Sequence, residues 1–304
     1  MNQDRKIGLL YALAAYLLWG FLPIYWKLVD HVPADIILAH RMIWSFGLMA
    51  LIVLVLRKQH AFIITCKQLL KDRKKLLNMI AASIIISFNW LIFIWAVTND
   101  HVIQTSLGYY INPLVSILLG IIVLKEKLTG RQLFSIILAA IGVLIITVSY
   151  GVFPWVSIWI AVTFALYGLF KKIVHISSIF SLTIETMIVT PIALVYILLF
   201  SDGVLVGGTS PIATTFLLIG TGIATATPLL LFGSAILTIP LSMIGFLQYI
   251  APTIMLFLGI FVYDETFSQT HLFSFILIWI ALFIYMSSSM KTYSKQKLKT
   301  NIKR

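Results

Sequence analysis

Ten apolar runs, each about as long as a membrane-crossing helix, fill nearly the whole chain: 7–29, 34–56, 76–98, 102–124, 131–149, 153–171, 177–200, 211–235, 239–262 and 268–288. A helix needs about 20 apolar residues to cross the hydrocarbon core. No soluble domain fits between these runs. Composition agrees, at 61% hydrophobic and 11% charged with a mean hydropathy of +1.04, against about 25% charged residues in a soluble domain. The expectation is an all-α integral membrane protein of ten transmembrane helices. The first run is too long for a signal peptide and no small-residue cleavage site follows it, so it reads as a retained first helix. Cys66 is the single cysteine. It excludes an internal disulfide and a thiolate metal cluster.

The net charge of +12 would suit nucleic acid, but its placement points to the membrane. Lys and Arg occupy 5–6, the 57–75 loop, Lys125, Lys127 and Arg131, Lys171 and Lys172, and the tail from Lys291 to Arg304. The alternate loops hold Asp100, Asp202, Asp264 and Glu265 and no Lys or Arg. Retention of positive charge on the cytoplasmic side accounts for this alternation. It places both termini inside, which requires an even helix count. The chain therefore reads as a multi-pass protein of the cell (cytoplasmic) membrane with lipid around it and no nucleic-acid partner.

Two stretches copy each other at an offset of 139 residues, as from Tyr110 to Tyr249. Tyr110, Ile111, Pro113, Leu119, Gly120, Glu126, Phe134 and Ser135 recur as Tyr249, Ile250, Pro252, Leu258, Gly259, Glu265, Phe273 and Ser274. Pro-interrupted apolar segments in corresponding halves are the mark of a transporter built from repeats, with its site near the midplane. The halves divide near residue 150: 1–150, 151–290, and a basic cytoplasmic tail over 291–304. Five helices per half invert the second half in the membrane. The charges agree, because the basic inner loop 125–131 corresponds to the acidic outer loop 263–270.

Several motifs resemble one family. An aromatic-Gly pair, Trp19–Gly20, is echoed by Tyr167–Gly168. The pattern P-x6-G-x5-E runs through Pro113, Gly120 and Glu126 and again through Pro252, Gly259 and Glu265. With ten helices in two halves, this resembles the drug/metabolite transporter superfamily with tandem EamA domains. GFLPIYWKL at 20–28, LAHRMIWS at 38–45, NWLIFIWAV at 89–97 and SLGYYINPL at 106–114 resemble its RarD (chloramphenicol-sensitivity) branch. The resemblance implies a secondary transporter, often an exporter of amino acids or other small metabolites. It does not make chloramphenicol a substrate. The second copy departs at Ala251 opposite Asn112 and at Gln248 opposite Tyr109, so the halves are not expected to line a site symmetrically.

Ionisable side chains inside a span are costly and face a cavity or a partner. Glu185 lies two turns into its helix from the inner end, roughly 11 Å deep. Desolvation favours its neutral form, which makes it a candidate proton carrier; a hydroxyl or His partner near a wet vestibule is the alternative. Arg41 lies two turns in from the outer side. It is a candidate bidentate clamp for a carboxylate or phosphate, or else a lock between helices. His40, turned about 100° away from it, is a candidate proton relay. Polar stripes run along Tyr109, Asn112 and Ser116; Ser242, Gly245 and Gln248 or Tyr249; Ser83, Ser87 and Trp90, with Asn89 adjacent; and Thr221, Thr225 and Pro228. Pro113, Pro228 and Pro252 break helices and free carbonyls at midplane. Each stripe also suits plain hydrogen bonding between packed helices; together they suggest a central cavity. Trp90, Tyr109, Tyr110 and Tyr249 would stack on a flat solute there. Arg41, Asn89, Trp90, Tyr109, Tyr110, Asn112, Gln248 and Tyr249 are thus the candidate substrate residues, and Glu185 and His40 the candidate coupling residues.

No HExxH, GxSxG, paired Asp cluster, Cys/His ligand spacing or phosphate-cradling Gly loop occurs in the sequence. An enzyme, an ATP-driven pump, a metal and a cofactor are accordingly not expected. The expected function is secondary transport of small amphipathic metabolites by alternating access, with proton coupling open. An uncoupled facilitator and a non-transporting scaffold are the alternatives.

Overall fold

The computed structural model describes residues 3–98, 102–149, 151, 153–200, 212–262 and 269–301. The acidic loop residues Asp100, Asp202, Asp264 and Glu265 lie outside them. Twelve helices and no strands make up the described residues. They are α1 (Gln3–Lys27), α2 (Ala34–Val55), α3 (Gln59–Lys71), α4 (Arg73–Thr98), α5 (Val102–Ile122), α6 (Gly130–Ser149), α7 (Trp155–Val174), α8 (Ser178–Phe200), α9 (Ile212–Thr238), α10 (Leu241–Gln248), α11 (Ile250–Val262) and α12 (Gln269–Asn301). Among the described residues, nine stretches are long and apolar enough to cross a membrane, one of them spanning α10 and α11 together, and a shorter apolar helix covers Leu107–Ile122.

Three features differ from the sequence reading. The basic 57–75 loop contains α3, an amphipathic helix. It buries Leu69 beside Met79, with Phe62 and Cys66 packed at the same cluster, and leaves Ile63, Ile64 and Leu70 exposed. The 239–262 run is interrupted at Tyr249, and Pro252 falls in the first turn of α11, where its missing N–H has no intrahelical partner to lose. Pro113 and Pro228 lie inside continuous helices, as do Pro23 and Pro191. Finally, α12 continues to Asn301, through residues read as a tail.

Two apolar clusters hold the bundle. The larger joins α1, α7, α9 and α10 around Tyr16, Tyr167, Phe232 and Ile244. The smaller joins α5, α6, α10 and α12 around Ile117, Phe246, Phe275 and Tyr285, with Phe246 and Tyr285 stacked at 3.8 Å.

The first copy of the P-x6-G-x5-E motif has a structural role. The Glu126 carboxylate accepts the Leu241 N–H at 2.6 Å, the Ser242 N–H at 2.9 Å and the Ser242 hydroxyl at 2.7 Å. A carboxylate there satisfies orphan donors at the start of α10 and complements the helix dipole. Gly120 makes room for it, since a β-carbon at that position would meet the carboxylate and the Ser242 nitrogen. Tyr285 donates to the same Ser242 hydroxyl. Lys172, on α7, donates to the Ile236 and Ile239 carbonyls at the end of α9. The turn between α9 and α10 is thus held at both ends by charges from elsewhere in the chain.

Candidate functional site

Two polar clusters lie inside the bundle. The first is centred on Arg41 of α2. Its Nε–H donates to Thr225 Oγ1 of α9 at 2.9 Å. Its guanidinium carbon lies 4.6 Å from the ring centre of Trp26 on α1 and 5.2 Å from that of Trp90 on α4. Indole faces attract a cation electrostatically. Tyr109 of α5 is close enough to interact with the guanidinium electrostatically, and its own ring meets Phe93 edge-on. Five helices therefore converge on one side chain. Arg41 stays only half-buried, and among the described residues no carboxylate lies within ion-pair reach of it.

Helix α2 can approach α9 this closely because of Gly222. A β-carbon there would collide with the Trp44 backbone. Ser45 donates to the Gly222 carbonyl at 3.3 Å, and His31 meets Thr214 at 3.1 Å. His40 is buried on another side of α2, with its Nδ1 accepting from the Trp44 indole at 3.3 Å. It does not join Arg41, as the 100° offset between neighbouring helical residues requires.

The second cluster is centred on Glu185 of α8. Lys171 of α7 donates to Oε1 at 2.7 Å, Ser181 to the same oxygen at 2.6 Å, and Tyr167 to Oε2 at 2.8 Å. The residues are buried, with Glu185 at 3% exposure and Lys171 at 4%. The partner open to expectation was a hydroxyl or a His; the structure supplies two hydroxyls and an ammonium. Lys171 was read with the inner-loop cations. It instead turns into the bundle, because an isolated carboxylate two turns deep is far costlier than a hydrogen-bonded pair.

Between the clusters lies a small cavity whose walls include Ser45, Ser87, Trp90, Tyr167, Glu185 and Thr225. The space open to the centre of a water molecule is about 20 Å³, enough for about one ordered water. Trp90 and Thr225 face both this cavity and Arg41.

Of the residues expected from sequence, Arg41, Trp90 and Tyr109 come together, and Glu185 reaches the same cavity. The others do not. Asn89 gives its amide N–H groups to the Ile160 carbonyl at 2.8 Å and to Thr163 at 2.7 Å, tying α4 to α7. Asn112 and Gln248 are joined through the Ser116 hydroxyl. Tyr110 and Tyr249 pack in the smaller apolar cluster rather than in the cavity wall. The serines of the 83–90 stripe bond carbonyls of their own helix, Ser83 to Met79 and Ser87 to Ser83, and Thr221 bonds Leu218 likewise. Such local bonds satisfy a hydroxyl inside a helix with no ligand. Trp26 and Lys171 were not singled out from sequence. Both stand near helix ends, where an aromatic or a lysine is ordinarily an interfacial residue.

Comparison with known proteins agrees with this architecture. The model of the EamA-like transporter family matches residues 6–148. An uncharacterized transporter of Bacillus subtilis (strain 168), YojE, is 46% identical over 292 residues, covering 95% of this chain and 97% of its own. The RarD protein of Escherichia coli (strain K12) is 40% identical over 292 residues, covering 96% and 97%. That of Streptomyces exfoliatus is 39% identical over 298 residues, covering 97% and 93%. A solved crystal structure superposes with a TM-score of 0.72 at 14% identity, covering 92% of this chain and 97% of that one; at that identity the likeness concerns the fold alone. With relatives of this identity along nearly its full length, and a multi-pass helical bundle to match, the chain belongs to the EamA-like transporter family as a membrane transporter of the RarD type.

Proposed function

We propose that this transporter moves small amphipathic organic solutes, chiefly outward, by alternating access to the cavity between Arg41 and Glu185. Ten crossing segments form two inverted five-helix halves. Exchanging the halves takes α1 to α7, α2 to α8, α4 to α9, α5 to the α10–α11 pair, and α6 to α12. The packing supports this exchange: α1 lies on α9 and α11, as α7 lies on α4 and α5, while α2 meets α8, α5 meets α10 and α6 meets α12.

The observation that carries the reading is where this exchange fails. Helices α2 and α9 meet along an extensive seam, whereas their counterparts α4 and α8 meet far less. Under the charge rule the tight seam belongs to the outer half. One sealed seam and one looser seam about a shared cavity is what a carrier closed to the outside requires. A cavity with room for one water has to open before it admits a metabolite.

A second reading concerns coupling. Both oxygens of Glu185 are already taken by donors, one of them an ammonium. Protonating it means breaking a buried ion pair. This favours a facilitator without ion coupling over proton transfer through Glu185.

The test is flux of a broad metabolite panel into and out of proteoliposomes under imposed pH and voltage gradients. Saturable movement of at least one solute is expected. If no solute moves under any gradient, the proposal fails. If flux follows the pH gradient in wild type and loses that dependence in Glu185→Gln, the proton-coupled form replaces the facilitator.

A further inference from the structure

Among the described residues, His40, Arg41, Lys171 and Glu185 are ionisable side chains deep in the bundle. Lys171 and Glu185 cancel in a 2.7 Å pair. His40 faces another side of α2, where its Nδ1 accepts a hydrogen bond from the Trp44 indole. Among the described residues no counter-charge answers Arg41. Its Nε–H is used by Thr225. Among the described residues its two terminal nitrogens, the pair that grips an oxyanion in a planar fork, have no protein acceptor. The side chain is half-buried. The indole faces of Trp26 and Trp90 hold it in place without neutralising it.

We infer that the solute is a singly charged organic carboxylate that docks on Arg41 and crosses with no co-ion, so that an inside-negative membrane potential drives it outward. This rests on the transport reading above. With solute bound, the deep charge is zero; without it, the carrier is cationic. Each cycle therefore moves one negative charge, and no proton or metal ion is needed to bring the anion into lipid. Trp90 reaches from Arg41 to a cavity whose wall also holds Tyr167, which suits an aromatic or flat body behind the carboxylate. The fork geometry favours a carboxylate over halide or other spherical anions.

The experiment uses full-length protein in proteoliposomes, with voltage clamped by potassium and valinomycin. Its probes are N-acetyl-L-phenylalanine and the neutral N-acetyl-L-phenylalaninamide, each run beside protein-free liposomes. The acid is expected to give an electric current and the amide none. The steady accumulation ratio should change about tenfold for each 60 mV, as one unaccompanied charge dictates, and should ignore a pH gradient at fixed voltage. A ratio indifferent to voltage would mean proton symport and overturn the inference. About a hundredfold change for the same step, together with pH dependence, would mean proton exchange and overturn it equally. Arg41→Gln should abolish the current, and Arg41→Lys should restore the voltage slope at weaker affinity, which separates charge from folding. In the charge-neutral double variant Lys171→Met/Glu185→Gln, a changed slope would place coupling on that pair and sink the inference. If other panel solutes move and N-acetyl-L-phenylalanine does not, the carboxylate assignment falls while the transport reading stands. If nothing in the panel moves, the transport reading itself falls.

Discussion

Arg41 and Glu185 occupy matching places, each the eighth residue of its helix, α2 from Ala34 and α8 from Ser178. Their surroundings are opposite. Glu185 is closed off: three donors fill its oxygens and one of them carries the compensating charge. Arg41 is left open: one hydroxyl and two ring faces position it, and no described carboxylate answers it. A buried charge satisfied by its own protein holds helices together. One held in place without compensation is available to a ligand. Residue type and depth do not separate the two cases; the partners do.

That contrast can be broken most directly at Lys171. Lys171→Met leaves Glu185 buried without its counter-charge and should cost about 3–5 kcal/mol, read as a large loss of thermal stability in detergent. The double variant Lys171→Met/Glu185→Gln should recover most of it. If the single variant is as stable as wild type, Glu185 is not locked and the contrast with Arg41 dissolves.

A second carboxylate sharpens the comparison. Glu126 is satisfied by backbone N–H groups rather than by an ammonium. Glu126→Gln removes a charged acceptor from the start of α10 and should cost about 1–3 kcal/mol. Stability should fall while the charge selectivity of transport stays the same. Altered solute selectivity would mean that the cap belongs to the site.

On the open side the stability effects should be small. Thr225→Val removes a single neutral partner of Arg41 and should cost about 1 kcal/mol. Arg41→Gln should likewise leave the melting temperature within a few degrees of wild type, since Arg41 closes no ion pair among the described residues. A collapse in stability on the scale of Lys171→Met would make Arg41 a structural lock.

The smallest effect concerns Cys66, on the amphipathic α3. Burial pushes its thiol up from the ordinary range. A raised thiol keeps its proton at neutral pH, so labelling by a membrane-impermeant maleimide should be slow near pH 7 and accelerate as pH rises. It should occur in inside-out vesicles and not in right-side-out ones. Labelling from the outside would invert the assigned topology.

The spans were readable because a helix in lipid advertises itself by length and apolarity alone, and the boundaries of most agree with the apolar runs to within a few residues. The 57–75 segment was misread as loop because its lysines obscured a short amphipathic period. The deep residues were readable as a set, since polar groups in an apolar run stand out. Their pairing was not. Lys171 and Glu185 are 14 residues apart and each falls in a different apolar run, so only the way the bundle sets α7 and α8 brings their side-chain ends within hydrogen-bond reach. Trp26, one residue from the end of α1, carried no signal separating a ring stacked on Arg41 from an interfacial one. Asn89, Tyr110 and Tyr249 make helix contacts here, and a polar or aromatic residue in a span serves helix contact as readily as solute contact.

Sequence alone places this chain in a membrane, marks which of its loops are basic, and reveals two stretches that copy each other. All of these follow from transfer free energy, charge placement and repetition, which are properties of segments taken one at a time. The tertiary structure alone decided which charge is cancelled and which is left over. That outcome depends on distances between α2, α7, α8 and α9, and Coulomb energy in a low-dielectric interior varies so steeply with separation that no reading of separate segments could settle it.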